Sequence, residues 1–350
     1  MFKKLVAILI AFIMVFALCS CKGQNIAKLS EELKGALNVH FIDVGQGDCI
    51  MLESQSAVVL IDAGETEYAD FVCEYLKSYD IKTIDYVIAT HPHSDHCGGL
   101  KKVIDTFECK NFITAQSDQQ TKVWLDVLDA VEKNDVNYID AKIGATYSFG
   151  ESVFEILGPC NSQYENYNNY SVIVKAMCGD TSFLFTGDAE KLSEYEMIEN
   201  GADLNCDVLK VGHHGSSTST SGEFLSFATP SYAVITCGKN NEYGHPHKET
   251  TNSLRYRGIT TYRTDELGTI IASSDKENIT FYYTDSNTVV QAPSQSIETE
   301  ISYIGNKNSK KFHLSSCDGV KNMDSKNKIT FSSREDAVEN GYTPCKTCNP

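Results

Sequence analysis

From residue 39 onward the chain alternates short apolar runs with polar, turn-forming stretches. Runs rich in Val, Ile, Leu and Phe cover 39–44, 57–62, 86–90, 112–114, 154–157, 171–177, 182–186, 208–211, 233–236, 268–273 and 279–283. Short runs of this kind, bounded by Gly, Asp, Asn and Ser, predict strands. Stretches with apolar residues every three or four positions predict helices over 68–78, 100–106, 122–134 and 190–200. Many strands with interspersed helices point to the α/β (α+β) class, with two sheets packed face to face and helices outside them. The pattern stops at 286–302, whose Ser, Asn, Thr and Pro give it linker composition. Residues 303–350 form a separate short segment, and no internal repeat is visible.

The first residues follow another rule. Lys3 and Lys4 precede an uncharged apolar run, residues 5–18, that ends in Leu18-Cys19-Ser20-Cys21. A basic start and an apolar core too short for a comfortable span predict a signal peptide over 1–20. The ending resembles a bacterial lipobox, which implies cleavage before Cys21 and a lipid on its sulfur. Residues 21–37 then form a polar tether, and the protein is expected as an extracytoplasmic lipoprotein of a bacterial cell membrane. No later stretch is apolar and long enough to cross a bilayer.

Charge and cysteine content sharpen this picture. The 350 residues carry a formal charge of −17, but residues 303–350 hold 8 Lys+Arg against 5 Asp+Glu, leaving about −20 on the rest. An acidic surface does not attract nucleic acid, whose phosphates must be neutralised by Lys and Arg. If nucleic acid binds, the C-terminal segment is the better place. Of 13 cysteines, Cys49, Cys73, Cys178, Cys206 and Cys237 sit singly in apolar runs and read as small buried residues rather than bridges.

The chemistry concentrates at Thr90-His91-Pro92-His93-Ser94-Asp95-His96-Cys97-Gly98-Gly99, just after the apolar strand 86–90. Three of the nine histidines and one Asp fall within six residues. Imidazole and carboxylate are the ligands that a divalent ion such as Zn²⁺ takes. Asp188 ends the run 182–186, and His213 and His214 end the run 208–211. One of these two histidines completes the metal shell, and the sequence leaves open which.

His-x-His-x-Asp-His followed by Gly-Gly resembles the signature of the metallo-β-lactamase superfamily. Further matches are Phe41-Ile42-Asp43-Val44-Gly45-Gln46-Gly47-Asp48, Leu60-Ile61-Asp62-Ala63-Gly64, Phe185-Thr186-Gly187-Asp188, Leu209-Lys210-Val211-Gly212-His213-His214-Gly215-Ser216 and Tyr243-Gly244-His245-Pro246. Together they are similar to the hydrolase domain of the ComEC/Rec2 competence proteins, and to the related teichoic-acid phosphorylcholine esterases. The resemblance implies an αββα sandwich over 38–285. It implies a site of His91, His93, Asp95, His96, Asp188, His213 and His214 holding one or two Zn²⁺, with Asp188 bridging. The commoner family pattern has another ligand His between the first motif and this Asp. Here none occurs between His96 and His213, and the segment reads Asn166-Tyr167-Asn168-Asn169-Tyr170-Ser171-Val172. That weakens the His91/His93 side and admits single occupancy, or Mn²⁺ for Zn²⁺.

A bound divalent ion brings the pKa of water to about 7 and so supplies hydroxide. Asp95 and Asp188 are expected to orient it as catalytic residues. His245 is expected to protonate the leaving group or bind phosphate, and Ser216 and Asn169 to bind substrate. His40 and His247 are expected to do no chemistry, and the role of Lys210 is open.

In 303–350, His313-x3-Cys317 and Cys345-x2-Cys348 offer four ligands in two close pairs, the spacing of a closed structural Zn²⁺ site. So short a segment has little core, and metal ligation would supply much of its folding free energy. Its sequence also resembles the metal-binding domain of the Ada DNA-repair protein, in which all four ligands are Cys; His313 is a departure.

The expected function is an exported metal-dependent phosphodiesterase acting on DNA. The alternatives are a cell-wall phosphorylcholine or phosphodiester esterase, and a DNA- or surface-binding lipoprotein without turnover.

Overall fold

The computed structural model describes residues 35–284, 290–291 and 302–350. The expected signal peptide, Cys21, nearly all of the tether and most of the linker lie outside the described residues. Strands β1 (Leu37–Phe41), β2 (Ile50–Ser54), β3 (Ala57–Ile61), β4 (Thr83–Ile88), β5 (Glu108–Thr114) and β6 (Asn137–Asp140) come first. Then follow β7 (Thr146–Phe149), β8 (Ser152–Gly158), β9 (Ile173–Cys178), β10 (Thr181–Phe185), β11 (Val208–Lys210), β12 (Tyr232–Ile235) and β13 (Thr260–Arg263). The chain returns through β14 (Ile270–Ser274), β15 (Ile279–Tyr283) and β16 (Val290–Gln291). One sheet has the order β16-β15-β14-β1-β2-β3-β4-β5-β6, and the second β13-β12-β11-β10-β9-β8-β7.

The strands read as nearly continuous apolar runs because both faces of each sheet are covered. Successive side chains point to opposite faces, so Val59 and Ile61 enter the core between the sheets while Val58 and Leu60 meet helices. Helices α1 (Ala69–Ser78), α2 (Leu100–Thr106) and α3 (Lys122–Lys133) lay Val72, Leu76, Val103 and Val127 on that outer face. Helices α4 (Lys191–Glu199), α5 (Gly222–Ala228) and α6 (Lys248–Tyr256) cover the second sheet with Met197, Phe224, Leu225 and Leu254. Thr121 caps α3 by accepting from Trp124 N at 3.4 Å, and Ser221 caps α5 by accepting from Phe224 N at 3.1 Å. The layers are therefore helix, sheet, sheet, helix, as expected. No described helix is long and apolar enough to cross a membrane.

Strands β3 to β6 run parallel, as do β10 to β13. Parallel strands share one carboxyl-terminal rim, and the loops leaving β3, β4, β10, β11 and β12 meet there. All 11 described cysteines are free, and the five read as small core residues are buried.

Strands β17 (Tyr303–Asn306), β18 (Lys311–Leu314), β19 (Lys328–Phe331) and β20 (Thr343–Pro344) form a third sheet, ordered β19-β17-β18-β20. Its core, with Phe312, Leu314, Phe331 and Tyr342, takes in Tyr256 from α6. Arg257 clamps the two parts together, donating to Gly222 O at 2.9 Å and Asn349 O at 3.1 Å. Gly222 has no side chain where a Cβ would stand 2.3 Å from Asn349 O. Tyr256 OH donates to Asp318 at 2.8 Å, and Arg334 pairs with Glu223 at 3.2 Å.

Candidate metal centre

Five loops converge on the rim. After β4, His91 and His93 precede the one-turn helix Ser94–Cys97, which carries Asp95 and His96. After β10 comes Asp188, and after β11 come His213 and His214. His96 Nε2 stands 3.2 Å from Asp188 Oδ1 and 4.0 Å from Asp95 Oδ2. His214 Nε2 stands 3.3 Å from Asp95 Oδ2 and 3.5 Å from Asp188 Oδ1. Two donors about 2.0–2.1 Å from one tetrahedral ion are about 3.3–3.4 Å apart, so the contacts of 3.2, 3.3 and 3.5 Å have the lengths of polyhedron edges, while that of 4.0 Å is longer. The donor atoms of Asp95, His96, Asp188 and His214 all lie within 4.8 Å of one another.

The bonding of these atoms tests whether an ion fits. His96 Nε2, Asp188 Oδ1 and His214 Nε2 are buried and have no hydrogen-bond partner. A buried polar atom without a partner costs about 1–3 kcal/mol, and three that face one point fit a shared cation. His96 Nδ1 lies 2.8 Å from Asp62 Oδ2, and His214 Nδ1 lies 2.9 Å from Thr236 O. Both acceptors lack protons, so each Nδ1 carries a hydrogen and each Nε2 is the nitrogen left for a ligand. Of the pair left open by the sequence, His214 joins this set.

The surrounding charge is negative. Asp48, Asp62, Asp95 and Asp188 are gathered around His96, and the nearby Lys210 ammonium is buried against Asp48 and donates to Gly187 O at 2.9 Å. Four carboxylates against one ammonium leave the pocket in need of positive charge. Burial raises the pKa of Asp188, but His214 and His96 outweigh it and hold the carboxyl well below its ordinary value. Burial likewise opposes ionisation of His96, but Asp188, Asp95, Asp62 and Asp48 lift it well above the usual range. The roles of Asp48, Asp62 and Lys210 were not evident from the sequence, although all three stand in the quoted motifs.

The backbone is specialised around these groups. His213 (φ 51°, ψ 47°) and His214 (φ 52°, ψ 26°) are both left-handed, which costs about 1–3 kcal/mol each and persists only where the surroundings enforce it. His213 N donates to Gly187 O at 3.1 Å, tying the turn to the Asp188 loop. At Gly47 a Cβ would stand 2.3 Å from Asp95 O, so the loop after β1 packs directly on the metal-binding turn.

The centre opens into a cleft of about 510 Å³ walled by Glu65, Glu67, Tyr68, Glu242, Tyr243 and His245. Burial, His214 and His213 push the His245 pKa down to about 4. The ring is neutral at neutral pH. In that state it can offer one N–H to a phosphate oxygen, the second of its two expected roles. Ser216 and Asn169 do not reach the cleft. Ser216 is buried, and its hydroxyl accepts from Thr218 N at 3.3 Å. Asn169 is buried too, its amide oxygen accepting from Glu190 N at 3.2 Å and Ser193 Oγ at 3.0 Å. Its neighbour Asn168 does line the cleft, as does Gln46, and the Asn168 Oδ1 has no hydrogen-bond partner. His40 is a buried strand residue bonded to Tyr75 OH at 2.9 Å. His247 accepts from Ser217 N at 3.0 Å.

In the third sheet, His313, Cys317, Cys345 and Cys348 bring four donor atoms within 4.8 Å of one another. His313 Nδ1 is 3.4 Å from Cys317 Sγ. Contact with Cys348 pulls the Cys345 thiol down, toward the thiolate a metal needs. This set could bind zinc.

A model of the metallo-beta-lactamase superfamily matches residues 42–239, more than half of the chain. The chain belongs to that superfamily, whose fold is one of metal-dependent hydrolases and implies a divalent ion, typically zinc. Within it the chain is of the ComEC/Rec2 type. It is 32% identical over 250 residues to ComE operon protein 3 of Bacillus subtilis, a match covering 66% of this chain and 32% of that protein. Competence protein ComA of Neisseria gonorrhoeae is 27% identical over 237 residues, covering 65% of this chain and 31% of that one. Recombination protein 2 of Haemophilus influenzae is 28% identical over 230 residues, covering 64% and 27%. The chain thus spans about a third of the length of the curated relatives it matches.

Proposed function

We propose that this protein is a metal-dependent phosphodiesterase that acts on DNA outside the cytoplasm and is held at a membrane by a lipid on Cys21. The observation that carries the hydrolase reading is the convergence of the unpartnered His96 Nε2, Asp188 Oδ1 and His214 Nε2 with Asp95. Asp95, His96, Asp188 and His214 hold the ion, which supplies Lewis acidity and makes a water nucleophile available near neutral pH. Asp95 and Asp188 orient that water. His245, neutral, donates to a phosphate oxygen.

Similarity to a competence protein and a recombination protein supports a nucleic-acid substrate. The third sheet supports it as well. Strand register places Lys311 and Lys328 on either side of Asn306, with Lys307 and Lys310 in the adjoining turn. That gathers positive charge for a phosphate backbone on a chain that is otherwise acidic.

A second reading, a cell-wall phosphorylcholine esterase, is favoured by the cleft itself. Glu65, Glu67 and Glu242 beside Tyr68 and Tyr243 suit a cationic group attached to the phosphate.

The deciding assay offers residues 22–350 single-stranded DNA, bis-p-nitrophenyl phosphate and p-nitrophenyl-phosphorylcholine, with Zn²⁺ or Mn²⁺. DNA cleavage that falls at least about 100-fold in both Asp95→Ala and Asp188→Ala is the expected result. Turnover of the choline ester alone selects the second reading. Unchanged cleavage in both variants removes the site assignment.

A further inference from the structure

We propose that the third sheet positions the metal centre of the sandwich, with Arg257 as the positioning residue and α6 as the rod between the two. The inference rests on the metal-hydrolase reading. It adds that the set His313, Cys317, Cys345 and Cys348, the Cys seat, governs how tightly the His/Asp centre holds its ion.

Helix α6 touches both sites. At its start it holds the turn that carries His214. The three residues after this ligand each bond to it: His247 N donates to Gly215 O at 2.9 Å, Thr250 Oγ1 to Ser216 O at 3.0 Å, and Ser217 N to His247 Nδ1 at 3.0 Å. A Cβ at Gly215 would stand 2.5 Å from Pro246 Cβ, so the turn lies directly against the approach to the helix. At its other end α6 meets residues that adjoin the Cys donors. Ser316, just before Cys317, donates to Tyr256 O, and Asp318, just after it, accepts from Tyr256 OH at 2.8 Å. Asn349, just after Cys348, accepts through its carbonyl from Arg257 Nη1 at 3.1 Å and Ser253 Oγ at 3.4 Å. The helix has nine residues, a length of roughly 13 Å, and its own backbone bonds make it move as one piece.

Arg257 stiffens the contact with the chain end. Its guanidinium is buried and also donates to Ser253 Oγ at 2.7 Å and Gly222 O at 2.9 Å. A charge in such a place is stable only while its acceptors stay. The Asn349 carbonyl is presented by a turn that the Cys seat closes. Asn349 is left-handed (φ 42°), and its N donates to Cys345 O at 2.9 Å. An empty Cys seat frees this turn, takes an acceptor from Arg257 and lets α6 shift. The shift reaches Gly215 to Ser217 and the left-handed pair His213 and His214, a conformation that persists only where its surroundings enforce it. His214 Nε2 then loses its fixed place opposite Asp95 and Asp188.

The test titrates Co²⁺ into chelator-stripped residues 22–350 against a competing chelator. Thiolate-to-metal charge transfer reports the metal at the Cys seat, and the rest of the bound metal is that of the His/Asp centre. The double variant Cys345→Ser, Cys348→Ser empties the Cys seat and is expected to weaken the centre about fivefold or more, while amide exchange shows β1 to β5 as protected as in wild type. Arg257→Met leaves all four Cys-seat donors in place. It is expected to weaken the centre to a similar degree with the charge-transfer band retained, and Arg257→Lys, which keeps a donor for Asn349 O, to recover part of the loss. Combining Arg257→Met with the double variant is expected to add little, because both cut one path. A centre of wild-type affinity in Arg257→Met overturns the proposal, as do losses that simply add in the combined variant. A wild type that takes no Co²⁺ outside the Cys seat overturns the hydrolase reading as well.

Discussion

Asp62 shows how much of a metal centre can depend on a residue that never touches the ion. Its backbone is left-handed (φ 58°), and its carboxylate accepts from Thr90 N at 2.8 Å, Thr90 Oγ1 at 2.6 Å and His96 Nδ1 at 2.8 Å. It therefore sets the tautomer of His96 and, through Thr90, that of His91. Asp62→Asn keeps the shape but weakens the charge-assisted bonds. The candidate centre of Asp95, His96, Asp188 and His214 is expected to lose about 10–100-fold in metal affinity, read by competition with a chromophoric chelator; an unchanged affinity would show that packing alone orients His96. The candidate ligands stand out in the sequence because they cluster or end apolar runs. Asp62, Asp48 and Lys210 stand in the same motifs, but their partners are remote. Thr90 lies 28 positions from Asp62, and Thr236, which donates to Asp48, lies 188 positions away. Local pattern cannot show such pairings. Ser216 and Asn169 were misplaced for the converse reason: both are next to site residues in sequence but turn inward to brace a loop and a helix.

The four helices expected from periodicity agree with α1 to α4 to within a residue or so at each end. Strands β6, β7 and β13 escaped notice because each has only four residues, at most one of them buried, and so little apolar alternation. β2 carries an apolar signal, Ile50-Met51-Leu52, but sits against a motif read for its glycines and Asp48. One contact between elements has a pH signature. Glu194 of α4 is buried and accepts from Ser221 N at 3.0 Å and from Thr220 N, just before α5. Burial pushes its pKa up to about 7, against the opposing pull of Ser221 and Thr220. Below about pH 4.5 the carboxyl is protonated folded and unfolded alike, so folding carries no penalty. As pH rises toward 7 the unfolded chain ionises first, the unfolded state binds fewer protons, and stability falls, by an amount on the order of 3 kcal/mol. Urea midpoints at pH 5 and pH 8 should show this loss, and Glu194→Gln should flatten it. An equal slope in the variant would assign the dependence to other groups.

At the scale of the whole molecule, the sandwich and the third sheet depend on different things. The sandwich has three large apolar clusters. The third sheet has one small cluster, part of it borrowed from α6 through Tyr256. A strong chelator should therefore act unevenly. Amide hydrogen exchange is expected to accelerate throughout 303–350 while β1 to β5 and β8 to β12 stay protected. Uniform acceleration would mean that the two parts unfold as one. The separation of charge between them bears on rates. A polyanion is drawn to the lysines around Asn306 and repelled by Glu65, Glu67 and Glu242 at the cleft mouth, and dissolved salt weakens both forces. Capture dominates when salt is scarce and entry is the slow step; in abundant salt entry is easy and capture fails. Cleavage of DNA should then pass through a maximum as ionic strength rises, whereas bis-p-nitrophenyl phosphate, too small to engage both surfaces, should show none. The protein would in effect be tuned to the saltiness of its surroundings, with the lysines and glutamates fixing where that optimum lies.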